Sequence, residues 1–317
     1  MATDSPNTMS TLDPHGMVGA YKVNRPLNDS EKQHRFDVNK PCSQKPHYEL
    51  SLIKLNSTFV ECVDKWYSMR GFVAMGGFAL AGVAIAGLFL VGDILFNPEY
   101  FLPALAVAIL GISLLAASLY LLTRDAFTYT HYPIRFNRQN RQVYVFRRDG
   151  TVLKAGWKDI CWTIYGQGVA ANEGYVMGHI LSDDKKTIKE SFALSKVTTA
   201  NDYGIQGLKD HFEFFRRYME EGPAQVLEAI KPVPLIMLPG IYKARETWAF
   251  GWERLTLNLN GFALLQWLFQ LFIMPMSLFR WFAMRTSKIP QWPQWVEDEC
   301  PIDPDDLWIR DERHAAK

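Results

Sequence analysis

The chain has 317 residues, of which 48% are hydrophobic and 21% are charged, and its formal net charge at pH 7 is +1. This balance argues against a nucleic-acid-binding protein, which carries a strong excess of Lys and Arg. The 4 cysteines lie far apart without a C-x-x-C pair, which argues against a disulfide framework or a zinc knuckle. The length is sufficient for one compact domain beside membrane segments.

The N-terminal part is polar. Residues 1–46 are rich in turn-forming residues and poor in aromatic ones, a composition that predicts disorder. Residues 47–70 form a juxtamembrane segment of mixed character. In it Tyr48, Leu50 and Leu52 alternate like a strand, and the rest resembles a short helix that leads into the membrane.

Two uncharged apolar runs follow, at residues 71–92 and 101–123. A bilayer core is about 30 Å thick and a helix rises about 1.5 Å per residue, so roughly 20 apolar residues cross it once. The connector, residues 93–100, is too short to do more than reverse the chain direction. The sequence therefore predicts a transmembrane helical hairpin over residues 71–123, and the alternative is a pair of buried helices in a soluble core.

Charges beside the runs predict the topology. Lys65 and Arg70 precede the first run and Arg124 follows the second, whereas the connector carries Asp93 and Glu99 and no basic residue. Basic residues near membrane ends are retained in the cytoplasm. We therefore expect two spans with both termini in the cytoplasm.

Small residues within the runs are spaced four apart, which lets helices approach closely. The pairs are Gly77 and Ala81, Gly82 and Ala86, and Ser113 and Ala117. Their ordinary use is packing of the two spans on each other. The alternative is docking to a further membrane helix, from a second copy or a foreign chain, which makes Gly77, Gly82 and Ser113 candidate partner-binding residues. Neither run contains an ionisable residue, which argues against an ion pathway.

Residues 126–222 are β-rich. The expected strands are residues 127–132, 133–138, 142–148, 151–155, 158–165, 175–181 and 187–194. Asp149 and Gly150 form a strong hairpin signal between two of them. Residues 205–221 then carry apolar side chains at helical spacing, and Gly222 ends the helix. This order predicts a cytoplasmic pleckstrin-homology-like domain capped by a helix, although other small α+β domains share it.

A basic patch lies in this domain. Its arginines are Arg135, Arg138, Arg141, Arg147 and Arg148, with Lys154 and Lys158 beside them. Such a patch binds anionic lipid when it lies near the cytoplasmic leaflet. A solvated sheet face and a docking site for an acidic protein explain it equally well.

Residues 223–317 form an aromatic-rich, helical C-terminal region with an acidic tail. Residues 224–231 predict a short helix. A third uncharged run, residues 261–279, contains Pro275 and several aromatic residues and has basic residues on both sides. It fits an interfacial or re-entrant helix, a buried helix or a third span. We expect residues 290–295, which hold two Trp, to lie extended against an apolar surface.

Catalytic patterns are absent from the sequence. It contains no G-x-S-x-G, H-E-x-x-H or phosphate-loop motif, so no catalytic residue, cofactor or metal is predicted. His211 is expected to be a surface or partner-contact residue. The acidic residues of the tail, among them Glu297 and Glu299, are interpreted as solvated.

Several runs resemble a family of uncharacterised proteobacterial inner-membrane proteins with two spans and a cytoplasmic β-rich domain. They are residues 133–138 (PIRFNR), 143–147 (VYVFR), Trp157, 214–219 (FFRRYM), and 290–293 (PQWP) with Glu299 and Cys300. The resemblance covers about residues 65–305 and brings no catalytic residues. It implies association with type VI secretion effector and immunity loci.

Two functions follow as hypotheses. The first is a non-catalytic immunity protein that neutralises a cognate membrane-acting toxin by direct binding. The second is a membrane-anchored lipid-sensing or scaffold module that uses the basic hairpin. Both need binding surfaces and membrane lipids but no active site, and neither involves nucleic acid.

Overall fold

The computed structural model describes residues 20–92, 94–165, 173–199, 201–230, 246–257 and 263–311. The disorder expected of residues 1–19 therefore falls outside the described residues. Residue 93 of the connector and residues 231–245 lie outside them as well. The protein is a mixed α+β protein with two compact units. Unit 1 comprises Met1–Tyr67, His131–Lys243 and Pro290–Lys317, and unit 2 comprises Ser68–Thr130 and Ala244–Ile289.

The strands and helices are labelled in chain order. The strands are β1 (Arg25–Pro26), β2 (Leu52–Leu55), β3 (Phe59–Cys62), β4 (Ile134–Asn137), β5 (Gln142–Phe146), β6 (Val152–Gly156), β7 (Ile160–Tyr165), β8 (Glu173–Leu181) and β9 (Thr187–Thr199). The α-helices are α1 (Asp29–Gln33), α2 (Phe72–Gly92), α3 (Phe101–Asp125), α4 (Asp202–Glu221), α5 (Ala224–Ile230), α6 (Trp248–Leu257), α7 (Ala263–Thr286) and α8 (Gln294–Glu299).

Unit 1 contains two antiparallel sheets. One has the order β2-β3-β4-β5-β6 and the other the order β1-β9-β8-β7. The turn between β5 and β6 contains Gly150 at φ +84°, the positive φ that the Asp149–Gly150 signal predicts. Residues 127–132 are not a strand; there Tyr129 makes a single bridge with Lys288 within unit 2, so these residues join neither sheet.

The core of unit 1 lies between the sheets and α4. Aromatic rings form its centre: Phe136 stacks on Phe215 at 4.7 Å between centroids, and Trp157 stacks on Phe212 at 6.0 Å. The Asn201 side chain caps the first turn of α4 by accepting from the Gly204 N–H at 2.8 Å. The helix is amphipathic and buries its apolar stripe, as its periodicity predicts.

Residues 20–46 differ from the expected disorder. Asn28 and Glu31 form a capping box around α1, and β1 pairs with β9. The ring of Phe36 stacks on Phe212 at 4.3 Å. A few apolar anchors and local caps therefore attach this polar segment to the core, although its composition alone predicts no fold.

Unit 2 is helical. Within the described residues, three helices are long and apolar enough to cross a membrane, namely Tyr67–Gly92, Phe101–Asp125 and Trp267–Thr286. Most of their apolar side chains are exposed in the isolated chain, for example Phe89, which is 85% exposed. Such a surface in contact with water would be strongly unfavourable, and this indicates that the protein associates with a membrane.

Candidate functional site

The seam between α2 and α3 is built from small residues. The buried ones are Ala74, Gly77 and Ala84 on α2, with Ala104, Ala108, Gly111 and Ser118 on α3. The Ser118 hydroxyl donates a hydrogen bond to the Gly77 carbonyl at 2.7 Å. A Cβ atom added to Gly77 would lie 3.2 Å from the Ser118 carbonyl oxygen, and one added to Gly111 would lie 2.8 Å from Leu88. Gly77 is therefore used within the chain to bring the two helices together.

Gly82 and Ser113 lie outside this seam. A Cβ atom added to Gly82 would meet no heavy atom of the described residues within 4 Å. Ser113 is exposed, and its hydroxyl donates to the Ile109 carbonyl of its own helix at 2.8 Å. Because the antiparallel register places Gly77 opposite Ser118, Gly82 and Ser113 stand at a similar level of the hairpin.

Gly82 and Ser113 have both small and bulky exposed residues as neighbours. Ala86 and Ala117, one turn along each helix, are exposed too, whereas Val83 beside Gly82 is bulky and 64% exposed. Small outward residues permit a further helix backbone to come close, and bulky ones keep it away. The outer faces of the hairpin thus contain two places where close helix contact is sterically open.

Arg135, the first residue of the expected basic patch, is buried. Its guanidinium donates to Glu61 at 2.7 Å and, with two nitrogens, to Glu297 at 3.0 and 3.2 Å. The guanidinium also lies 4.2 Å from the centre of the Phe59 ring. Arg135 is only 1% exposed, so it does not belong to a surface patch.

The other four arginines of the patch are partly buried. Arg141 forms an ion pair with Glu220, and Arg147 forms one with Glu190 at 2.9 Å. The Arg138 side chain lies against Gly222 at the end of α4, and Arg148 is also partly covered. The basic patch is therefore basic in sequence, but carboxylates of unit 1 neutralise much of its charge.

The C-terminal segment covers one face of the five-stranded sheet. Val296 and Cys300 of this segment pack against Phe59 and Tyr144. Trp292 packs against the same cluster, with its ring 5.7 Å from that of Phe146, as expected of residues 290–295, although α8 begins within that stretch. The sequence motif with two Trp was the signal for this docking.

Two acidic residues of this segment form ion pairs while they stay partly exposed. Glu297 pairs with Arg135, and Glu299 pairs with Lys154 at 2.7 Å. The Tyr144 hydroxyl donates to Glu299 as well. Burial and this hydrogen bond raise the pKa of Tyr144. The ion pairs of Glu297 and Glu299 were not predicted from the sequence, because their partners lie on strands that are distant in sequence.

A second buried carboxylate attaches the N-terminal segment to α4. Glu213 accepts hydrogen bonds from Arg216 and Arg217, each at 2.8 Å, and from the Cys42 N–H at 3.0 Å. Burial alone would raise the pKa of Glu213, but these charged hydrogen bonds outweigh it and hold the pKa at about 2. The contacts of Glu213 hold the segment around Cys42 against α4 and so have a structural role.

His211 lies in the core rather than on the surface. Its Nδ1 is 3.1 Å from the His47 carbonyl oxygen, which can only accept, so Nδ1 carries the proton and Nε2 accepts from the Ser195 hydroxyl at 3.0 Å. Burial lowers the pKa of His211 to about 4. A hydroxyl on an imidazole is the arrangement of an activated nucleophile. Here, however, His211 is 0% exposed and Ser195 only 9%, so the pair belongs to the packed interior.

A similar arrangement surrounds His179 on β8. Its Nδ1 is 2.8 Å from the Ser191 hydroxyl, and its Nε2 is 3.5 Å from a Glu31 oxygen. Glu31 also receives two hydrogen bonds from Arg25, at 2.7 and 2.6 Å. The imidazole and this carboxylate are both buried, and burial lowers the pKa of His179 to about 4. These contacts join α1 to β1 and β8 of the four-stranded sheet.

A family model described as a family of unknown function (DUF6708) matches residues 111–304. The match begins within α3 and ends after α8, so it includes most of the strands. No curated protein and no solved structure matches the chain. Nothing in these comparisons connects the family with type VI secretion.

Proposed function

We propose that this chain, which belongs to the DUF6708 family of unknown function, is a non-catalytic membrane protein that neutralises a membrane-acting toxin by binding it within the bilayer. The observation that carries the proposal is the outward position of Gly82 on an apolar helix surface. An inserting toxin helix could approach the backbone of α2 there without displacing any side chain.

Two narrower parts of the proposal rest on the sequence. A cognate toxin delivered by type VI secretion rests on the family resemblance of the runs around residues 133–147. The location in a bacterial inner membrane rests on the same resemblance, and the cytoplasmic position of both termini rests on the basic residues that flank residues 71–123. A protein of this kind needs a recognition surface in the membrane but no chemistry of its own.

The cytoplasmic part is proposed to be pleckstrin-homology-like. The order of elements supports this: the meander β3-β4-β5-β6, then the meander β7-β8-β9, then α4 packed against the core between the sheets. In such a domain the helix covers one end of a strongly bent sheet. The additional strands β1 and β2 extend the two sheets at their edges.

The competing function, a lipid-sensing or scaffold module, has less support. This function needs exposed cations in the basic patch, whereas Arg135 is buried and Arg141 and Arg147 pair with carboxylates. Forming a lipid contact there would require breaking those pairs. Vesicle sedimentation of the full chain carrying Arg147→Ala and Arg148→Ala tests this alternative, which predicts weaker binding to anionic vesicles.

The test of the proposal is co-expression with any membrane-acting toxin that a neighbouring gene encodes. Cells with the wild-type chain should survive. Gly82→Leu should lose protection and co-purification with the toxin, because the new side chain fills the open site, where no described atom lies within 4 Å of the Cβ position. Val83→Leu is the matched control, since that position is already bulky and exposed, and it should protect normally.

Two outcomes contradict the proposal. If the toxin kills cells equally with and without the wild-type chain, the immunity function is wrong. If Gly82→Leu protects as well as Val83→Leu, the immunity function survives but the toxin does not bind at this face of α2.

A further inference from the structure

Helix α7 is long and apolar enough to cross a membrane, but its contacts describe a different position. One section of α7 lies at the start of α2, where the Phe272 ring is 6.5 Å from that of Phe72, the first residue of α2. The chain directly after α7 lies beside the end of α3. There the Lys288 N–H donates to the Thr128 carbonyl at 2.8 Å, and the Thr130 N–H donates to the Lys288 carbonyl at 2.9 Å.

The start of α2 and the end of α3 form the same end of the antiparallel hairpin, which we call its base. Residues 272–286 of α7 extend for about 21 Å along the helix axis, yet the helix is at the base near Phe272 and again just beyond its last residue. Its aromatic contacts with α2 extend from Phe72 to Phe78, the latter stacked on Phe279 at 5.2 Å. Phe78 is only about 9 Å along α2 from Phe72.

A third span would cross all levels of the hairpin in turn. If it entered at the base with its C-terminal end, Phe272 would lie far from the base, beside a later turn of α2 rather than beside Phe72. If it entered with its N-terminal end, Lys288 would lie on the opposite side of the membrane from Thr128. The observed contacts fit neither arrangement, so α7 runs across the base.

Helix α6 is at the base as well. Arg254 of α6 donates to the Ser68 hydroxyl at 3.3 Å, and Leu255 belongs to a cluster with Met69 and Phe72. Two indole N–H groups of α6 also bond to side chains of α7, since Trp248 donates to Ser277 and Trp252 to Gln270, each at 2.7 Å. Helices α6 and α7 therefore pack together as a pair.

This pair presents an apolar, Trp-rich surface that no described residue covers. Its most exposed members are Leu264, Trp267, Leu268, Leu271 and Leu278. Exposed Arg285 follows at the end of α7, 5.7 Å from the Trp281 ring. Indole rings and basic side chains next to apolar residues are typical of the layer where lipid headgroups meet acyl chains.

The buried charges of the pair fit the same layer. Arg280 of α7 is 0% exposed and donates to Glu246 at 2.5 and 3.0 Å, and its backbone lies against Gly71 at the base. An ion pair is far less costly near the headgroups than in the hydrocarbon core.

We propose that α6 and α7 lie in the plane of the membrane, within its interfacial layer and across the base of the hairpin. The ligand of this surface is the lipid bilayer itself. The hairpin α2–α3 then supplies the two crossings, and the α6–α7 pair fixes its base at the depth of the headgroups. This role is independent of any toxin.

Depth measurements on the full chain in lipid nanodiscs test the proposal. Spin labels are attached to Leu264→Cys, Leu271→Cys and Leu278→Cys, all exposed positions, and the wild-type chain labelled in parallel gives the background of the native cysteines. Collision with oxygen and with a water-soluble relaxation agent reports depth. Val83→Cys on α2 is the matched control for a residue of a span.

All three α7 positions should lie within about 10 Å of the phosphate level, and Val83→Cys should lie much deeper. A spanning α7 would instead separate Leu264→Cys from Leu278→Cys by about 21 Å in depth, with Leu271→Cys as deep as the control. That result overturns the proposal.

Labelling of intact cells with a membrane-impermeant maleimide gives a second readout. Leu264→Cys should resist labelling until the cells are opened, whereas Glu99→Cys in the connector should react at once. Labelling of both in intact cells would make α7 a third span. If Glu99→Cys is protected, the predicted topology fails, while the depth measurement still decides the position of α7.

Discussion

The Arg70 guanidinium lies 3.3 Å from the Asp125 carboxylate, although the two residues are 55 positions apart. Arg70 also donates to the Asp125 carbonyl at 2.8 Å. The other carboxylate oxygen of Asp125 accepts from the Gly71 and Ala74 N–H groups at 2.9 and 3.0 Å. The last residue of α3 thus caps the first turn of α2 and neutralises the arginine beside it.

Asp125→Ala should therefore destabilise the hairpin. It leaves a buried guanidinium without its countercharge and removes an acceptor from two buried N–H groups, a loss of about 3–5 kcal/mol. Thermal unfolding of the full chain in detergent measures the effect as a lower midpoint. Arg124→Ala is the matched control, because half-buried Arg124 contacts the nearby Tyr120 ring and hydroxyl, within its own helix. Equal midpoints for the two variants would contradict this role of Asp125.

Gly71→Ala should weaken the packing of α7 against the start of α2. Gly71 has φ +95°, and a Cβ atom there would overlap with the backbone N of Arg280. The unfavourable φ alone costs about 1–3 kcal/mol, and the overlap adds to it. Gly87→Ala should be neutral or slightly stabilising, since no described atom lies within 4 Å of its Cβ position. The comparison uses limited proteolysis of the two full-length variants in nanodiscs, where only Gly71→Ala should expose new cleavage sites in α7.

Local patterns in the sequence predicted the parts of the fold that local physics determines. Helices α2 and α3 follow from two uninterrupted apolar runs, and α4 follows from its helical spacing of apolar residues. The β5–β6 turn follows from Asp149 and Gly150, of which Gly150 has the positive φ. In each case neighbours in sequence carry the whole signal.

Relationships over long sequence distances could not be predicted in this way. The charges of Arg135 and Glu297 are visible in the sequence, but their pairing across the sheet is not. Likewise, Gly77 and Gly82 carry the same spacing signal, and only the packed hairpin distinguishes the buried glycine from the open one. Composition failed for residues 20–46 because a few anchors in the core decide whether a polar segment is ordered.

The Arg135 network should respond unequally to loss of its members. Arg135→Ala removes the countercharge of Glu61, which is 0% exposed, and should cost about 3–5 kcal/mol. Glu297→Ala removes a partner that is 44% exposed, and should cost about 1 kcal/mol or less. Unfolding midpoints of the full chain in detergent distinguish the two, and exposed Lys158→Ala serves as the control. A larger effect for Glu297→Ala would show that docking of the C-terminal segment matters more than the buried charge.

Acid should destabilise unit 1 through its buried histidines. The pKa values of His179 and His211 are each about 4 in the fold, against 6.5 for an unburied histidine. Because the unfolded chain takes up these protons at higher pH, the stabilisation is complete above pH 6.5 and is lost as the pH falls toward 4. The difference corresponds to about 3 kcal/mol for each histidine. Glu49 and Glu213 have pKa values of about 2, against 4.5 for an unburied glutamate. They stabilise the fold above pH 4.5, and this stabilisation is lost only as the pH falls below 4.5.

The window between pH 6.5 and 4.5 therefore isolates the histidines. The unfolding midpoint of the full chain should fall across it, and His211→Gln should flatten the fall by about half while lowering the midpoint at pH 7, since the replacement cannot take up a proton. His47→Gln is the matched control, because the His47 side chain is half-exposed and its backbone carbonyl still accepts from His211; its pH dependence should match that of the wild type. An unchanged pH dependence in His211→Gln would mean that other groups cause the acid sensitivity.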